Sequence, residues 1–399
     1  MIEPKVFYRK LDSLLSQINE VKSGANFLFS IVNELGKIFG SDLRIGGGRI
    51  YEKDTTEYVL ISPLSGLENV DIETNLALKS KAVQAIMSHK TYIFDDKGFD
   101  VGNKDVRQKN YAIPAAITVH NQDHTWILIF ELRNGWVREE IEFCLNAIRA
   151  VINYRLLSET IKNEYEQAYQ IQKSLLPTSS PVIDGYQIAG NSRQAELVGG
   201  DIFDYYKFNE KEFGFCIGDA SGHGLPAAIL ARDAIIGLRM GLENDIKMLQ
   251  TLKKLNKVIF QSVYSTRFIS LFYAEMELNG NLYYINAGHP SPILIYNNEI
   301  TELESTGLVF GAFLDIDLRR SYVKIYPGGV LVMFSDGIVE RQNAAGEEFG
   351  LERLKEVVAK NKNMAVEEIL NSIFKSANEF GNGDKWKDDA TVVVIKRIK

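Results

Sequence analysis

Cysteine is almost missing: Cys144 and Cys216 are the two in 399 residues. Their spacing fits neither a metal clip nor a redox pair, and two thiols make no disulfide framework, so a reducing cytoplasm is the expected compartment. Long apolar runs are missing too. None approaches the roughly 18 residues that a bilayer-spanning helix needs, so no membrane span is expected. The opening Met1-Ile2-Glu3-Pro4-Lys5 has no signal-peptide apolar core. Positive charge is not in excess: the formal net charge is −7 and the pI about 5.5. That speaks against nucleic acid as the main partner, because phosphate backbones demand concentrated Lys and Arg. Internal repeats and low-complexity tracts are absent. What is present is ordinary for a globular chain, 45% hydrophobic and 24% charged. At this length two domains are expected.

The first third alternates helix and strand signals. Leu11 to Ile38 reads as helical with a break near Gly24, and Leu28, Ile31, Val32, Leu35 and Ile38 recur at helical spacing. Leu43–Tyr51 and Glu57–Ser62 read as strands. Gly46-Gly47-Gly48 interrupts the first; no Lys-Ser or Lys-Thr follows, so a hairpin or bulge is expected rather than a phosphate loop. Leu76–His89 reads as a helix, and Tyr111–Val119 and Thr125–Leu132 as strands. This order and size resemble a GAF sensor domain, an α/β fold with a ligand-sized pocket, over residues 1–138; a PAS-like domain is the alternative. The resemblance implies an unknown ligand or partner. His89, His120 and His124 are expected at the surface or in turns.

Glu139 to Leu176 contains no Gly or Pro. As one helix it would be on the order of 55 Å long. Ile141, Leu145, Ile148 and Ile152, then Tyr154, Leu157, Ile161, Tyr165 and Ala168, form a seam that suits a coiled coil with a stutter. Pro177 ends it. Residues 139–176 are therefore expected to be a signalling helix that also forms a homodimer.

From Gly185 onward many short strands with few long helices argue for antiparallel sheets with helices outside. Four acidic clusters lie at strand ends or turns: Gly199-Gly200-Asp201-Ile202-Phe203-Asp204, Gly218-Asp219, Ser335-Asp336-Gly337, and Lys387-Asp388-Asp389-Ala390. A single such acid is ordinarily a solvated turn residue. Four beside apolar strands invite a shared site. Oxygen ligands without His or Cys select hard cations such as Mg²⁺ or Mn²⁺. Two such ions can activate a water and neutralise a phosphoryl group in transfer. Ser221 has no His–Asp pairing that would make it a nucleophile.

Residues 168–399 resemble the metal-dependent PPM-type (protein phosphatase 2C-like) serine/threonine phosphatases of the bacterial SpoIIE/RsbU group. The matching pieces run in order: Ile171-Gln172 to Leu176-Pro177, Val198 to Asp201, Gly218-Asp219-Ala220-Ser221-Gly222-His223-Gly224, Asn286-Ala287-Gly288-His289-Pro290, Ser335-Asp336-Gly337, and Asp388-Asp389-Ala390-Thr391. The resemblance implies an αββα sandwich over 177–399, and an α+β chain overall. It implies two Mn²⁺ or Mg²⁺ ions, with a third left open. Asp219 would bridge them, with the Ala220 carbonyl, Asp201, Asp336 and Asp388 as further ligands and Asp389 and Asp204 as additional carboxylates. His223 would orient a ligand or protonate the leaving group, and His289 would be a structural turn residue. Arg193 and Arg232 lie near the motifs in sequence. The activity implied is hydrolysis of a phosphorylated protein, a STAS-type anti-sigma-factor antagonist, under control of the N-terminal domain. Two other classes fit the sequence less well. Gly199 to Phe203 superficially resembles the diguanylate cyclase signature but has Ile202 in place of the Glu, and a catalytically silent partner-binding protein would not need all four main carboxylates.

Overall fold

The computed structural model describes residues 4–18, 25–62, 74–95, 113–242, 248–262 and 267–399. The expected break near Gly24 and the start of the Tyr111 strand lie outside the described residues. The chain divides into two compact units, Met1–Glu164 and Tyr165–Lys399.

The first unit holds helices α1 (Pro4–Ile18), α2 (Ala25–Phe39) and α3 (Lys81–His89) and strands β1 (Ile45–Lys53), β2 (Glu57–Ser62), β3 (Asn75–Ala77), β4 (Thr91–Ile93), β5 (Ile113–His120) and β6 (Thr125–Leu132). They form one six-stranded sheet in the order β3-β2-β1-β6-β5-β4, paired antiparallel throughout. The three glycines lie inside β1, where the register against β6 shifts between Ile45 and Gly48, the bulge that such a run favours. The expected helix from Leu76 starts late. Asn75–Ala77 pairs with β2 instead, and Ser80 caps the helix by accepting from the Val83 N–H.

Helix α4 (Arg138–Lys173) begins in this unit and continues into the next. Ile141, Leu145, Ile148, Ile152 and Leu156 are buried with Leu28, Ile50, Leu128 and Phe130. Farther along, Tyr154, Leu157, Ile161 and Tyr165 are exposed. The row from Ile141 to Ile152, continued by Leu156, thus serves the core of the first unit, while the shifted row from Tyr154 to Tyr165 is uncovered.

The second unit holds two five-stranded antiparallel sheets. One contains β8 (Ile202–Lys207), β9 (Glu212–Ala220), β10 (Ile269–Glu277), β11 (Asn281–Ala287) and β14 (Ser321–Lys324), in the order β14-β11-β10-β9-β8. The other contains β7 (Tyr186–Arg193), β12 (Ile293–Tyr296), β13 (Glu299–Glu302), β15 (Val330–Phe334) and β16 (Ala390–Arg397), in the order β13-β12-β15-β16-β7. Phe203, Phe215, Phe272 and Met276 from the first sheet meet Leu331, Met333, Val393 and Ile395 from the second. The outer face of the first is covered by α5 (Leu225–Gly241) and α6 (Met248–Ser262). The outer face of the second is covered by α7 (Asp336–Val339), α8 (Gly350–Asn361) and α9 (Val366–Phe380). This is the expected αββα sandwich. Central strands such as β15, buried at all five positions, read as unbroken apolar runs because both faces are covered. Each such side chain contributes about 1.5–3 kcal/mol on burial.

Strand β13 escapes a reading by alternation because all four of its residues are exposed. Its signal is the Asn297-Asn298 turn, both residues at positive φ, which joins it to β12 as a tight hairpin.

Candidate active site

The acidic motifs gather at one end of the sandwich. Asp219 is the next-to-last residue of β9, and Asp201 immediately precedes β8. Ile202 pairs with Gly218, so the two acids come side by side. Asp336 opens α7 after β15, and Asp388 and Asp389 precede β16, which pairs with β15. Glycine permits the close approaches. A Cβ on Gly200 would lie 2.6 Å from the Ala220 carbonyl oxygen and 3.1 Å from Asp219 Oδ1, and one on Gly337 would lie 2.0 Å from the Asp389 carbonyl oxygen. Gly224, at φ 70°, turns the chain into α5, which starts with Leu225-Pro226 and packs Ala227 and Ala228 inward.

The result is a cleft of about 580 Å³ lined by, among others, Asp219, Asp336, Asp388, Asp389, His223 and Phe268. Asp201 lies beneath it, 1% exposed. Its Oδ2 accepts from the hydroxyls of Ser335 and Thr391, each at 2.6 Å. Its Oδ1 is buried and has no hydrogen-bond partner among the described residues. Burial pushes the Asp201 carboxyl up to about 8 despite those hydroxyls, and the nearby charges of Asp389 and Asp336 add to the rise. Asp219 is driven to about 9, chiefly by burial and then by the charge of Asp201. Asp336 rises to about 6 through burial and the charge of Asp388. An orphaned buried carboxylate oxygen beside three more crowded acids is what a hard cation would satisfy. Among the described residues, no three acidic, His or Cys side chains converge tightly enough to form a ready-made ion cage.

Two expected ligands take other parts. Asp204 turns to the helix-covered face, where its Oδ2 accepts from Arg239 Nε at 2.7 Å and its Oδ1 from the Tyr205 N–H. Three residues from Asp201 along a strand edge, it points to the opposite face, since side chains alternate. Asp389 accepts from the backbone N–H of Ala195 at 2.8 Å through Oδ1 and of Gly200 at 2.7 Å through Oδ2. It thereby anchors the loop carrying Asp201; burial raises its pKa and those N–H groups oppose the rise.

The remaining candidates sort plainly. His223 stands on the rim with its side chain 86% exposed and its Nδ1 3.3 Å from Glu196. Ser221 Oγ accepts from the Phe268 N–H at 2.9 Å, bracing the loop. Arg193 stacks on Phe374 and Arg232 faces Asp233; neither lines the cleft. Lys387, not singled out in the sequence, does line it. Its signal was its place directly before Asp388. His289 is buried, its Nδ1 2.9 Å from Ser270 Oγ. Cys216 and Cys144 are buried thiols pushed up to about 12 and supply no nucleophile.

Comparison with known proteins bears on this end of the molecule. The family model described as Stage II sporulation protein E (SpoIIE) matches residues 209–398. Phosphoserine phosphatase RsbU of Bacillus subtilis is 30% identical over 249 residues, which cover 61% of this chain and 72% of that protein. Protein IcfG of Synechocystis is 29% identical over 282 residues, covering 63% of this chain but 44% of that protein. Among solved structures, the SiaA-PP2C domain of Pseudomonas aeruginosa aligns with a TM-score of 0.52 at 18% identity, covering 60% of this chain and 98% of that one. That likeness shows a shared fold.

Proposed function

As the chain belongs to the SpoIIE family of PP2C-type serine/threonine phosphatases, we propose that its acidic cleft hydrolyses phosphoserine or phosphothreonine on a partner protein. The observation that carries this is the buried, partnerless Oδ1 of Asp201 beside Asp219, Asp336 and Asp388. Two Mn²⁺ or Mg²⁺ ions held there would neutralise the carboxylates and supply an activated water. Ser335 and Thr391 fix Asp201 so that its free oxygen stays turned to the cluster. Asp219 and the Ala220 carbonyl present oxygens beside Gly200, and Asp336 and Asp388 would hold the other side. Lys387 offers the substrate phosphoryl group a positive charge on the cleft wall. His223, on the rim beside Glu196, would meet the departing hydroxyl.

The partner we infer is a phosphorylated STAS-type anti-sigma-factor antagonist, by likeness to RsbU, and the first unit would regulate its dephosphorylation. Support for regulation comes from the end of α4. Gln172 donates to the Gly199 carbonyl and accepts from the Gly199 N–H at 3.1 Å. Arg239 of α5 donates both to Asp204 and to the Leu175 carbonyl. Displacement of this end would therefore shift the Gly199–Asp201 loop, and about 1 Å is enough to change a rate strongly. Exposed Tyr154, Leu157, Ile161 and Tyr165 support a homodimer along α4. Among the described residues, no helix is long and apolar enough to cross a membrane.

The test is hydrolysis of p-nitrophenyl phosphate and of a phosphoserine protein by the full chain with Mn²⁺, with Mg²⁺ and with chelator. Turnover that needs the ion and disappears in Asp219→Asn is expected. Turnover unaffected by chelator would refute the proposal.

A further inference from the structure

The Asn286-Ala287-Gly288-His289-Pro290 motif is not accounted for by the chemistry above. Asn286 is fully buried; its Nδ2 donates to the Leu303 carbonyl at 3.1 Å and its Oδ1 accepts from the His289 N–H at 2.9 Å. Gly288, at φ 71°, completes the turn. Asn286 and Gly288 together thus aim the His289 ring inward, where it is 3% exposed. One ring nitrogen meets Ser270 Oγ at 2.9 Å. The other, Nε2, has no hydrogen-bond partner among the described residues; the backbone of Phe334, two residues before Asp336, favours a proton on the ring. Ser270 is the antiparallel register partner of Asp219, so the two side chains share a face with Cβ atoms about 5 Å apart. A serine hydroxyl there can donate to the Asp219 carboxylate. None of the described residues does so.

We propose that His289 is a positioning residue that draws the Ser270 hydroxyl proton away from Asp219, leaving that carboxylate free for a cation. In this arrangement the ring proton sits on Nε2, Nδ1 is the acceptor, and the single Ser270 proton is committed to it. Without the ring acceptor, the hydroxyl rotates to donate to Asp219 and competes with the ion. The inference rests on the metal-site reading above. It differs from simple bracing of the turn in one respect: the damage done by losing His289 is undone by removing Ser270.

The experiment is Mn²⁺ binding to the full chain, followed by calorimetry and by the spin-resonance signal of free Mn²⁺. His289→Met, which keeps an apolar side chain of similar bulk, is expected to raise the Mn²⁺ dissociation constant about 10-fold or more, the scale seen when a partner of a metal ligand is lost. His289→Gln, whose amide oxygen can accept the same proton, stays close to wild type. His289→Met combined with Ser270→Ala returns to within about 2-fold of Ser270→Ala alone. Unchanged binding in His289→Met, or a double variant as weak as His289→Met, would overturn the assignment. Ser270→Ala alone keeps the test open if a His289 variant does not fold. It should leave binding within about 2-fold of wild type, and a gain of about 10-fold would show that the serine proton rests on Asp219 after all. Failure of the wild-type chain to bind Mn²⁺ would sink the metal reading itself, whereas wild-type binding with unaltered variants sinks only the role of His289.

Discussion

Asp201 and Asp204 stand three residues apart, 1% and 4% exposed, and their surroundings differ in kind. Asp204 is answered by the protein: Arg239 and a backbone N–H occupy its oxygens. Asp201 is answered by half: two hydroxyls hold one oxygen and the other has no donor among the described residues. The same contrast separates Asp389, whose oxygens take backbone N–H groups, from Asp219, raised to about 9 by burial and by its acidic neighbours. A buried acid that the fold itself satisfies stabilises the fold. One left unsatisfied among like charges destabilises it until something else binds. The apolar layers between and outside the sheets supply the stability that lets this end of the sandwich carry that strain.

Substitutions can break the contrast, and the largest effect belongs to Asp219→Asn. Loss of turnover by roughly 10³-fold is expected in a phosphatase assay at saturating Mn²⁺. The same change should raise the unfolding midpoint of the metal-free chain near neutral pH, because it removes a buried carboxyl that must take up a proton on folding. Asp389→Ala comes next. It strands the Ala195 and Gly200 N–H groups and should cost about 2–4 kcal/mol in denaturant unfolding, with turnover falling as the Asp201 loop loosens. If Asp389 were instead a metal ligand, the variant would be no less stable than wild type in chelator. Asp204→Asn is the sharpening control. It weakens the pair with Arg239, itself 42% exposed, so about 1–3 kcal/mol of stability should go while the Mn²⁺ requirement stays as in wild type. The smallest effect is predicted for Ser221→Ala, which removes one loop hydrogen bond; turnover within about 5-fold of wild type would agree with a bracing role and a greater loss with a nucleophile.

Much of this could be read from the chain. Acids beside apolar runs, three of the four clusters adjoining glycine, located the site, and the unbroken Val330–Phe334 run announced a strand covered on both faces. The period of two along a strand even distinguishes Asp201 from Asp204, although the count alone cannot say which faces the cleft. Partners distant in sequence stayed hidden. Arg239 lies 35 positions from Asp204 and Ala195 lies 194 from Asp389, and nothing local marks either pair. Asp388 and Asp389 look equivalent in sequence, and both line the cleft; only the fold shows that Asp389 also takes the Ala195 and Gly200 N–H groups. His289 reads as a turn residue, which it is, but its burial and its bond to Ser270 depend on β10 lying alongside. In the first unit, Asn75–Ala77 buries one position in three, and three residues are too short a stretch to separate strand from helix by periodicity.

The central claim is that unsatisfied carboxylates at this end of the sandwich await a cation, and linkage to protons tests it most directly. A carboxyl held above its ordinary value binds more protons folded than unfolded. Stability is therefore lost as pH rises from the ordinary carboxylate range, near 4, through the raised values of about 8 for Asp201 and about 9 for Asp219. The decisive measurement is the unfolding midpoint of the full chain and of Asp219→Asn from pH 5.5 to 8.5, in chelator and in Mn²⁺. The expected result is a midpoint that falls with pH in chelator, falls less in Asp219→Asn, and is restored in wild type by Mn²⁺. Parallel curves for the two proteins, unmoved by Mn²⁺, would contradict it.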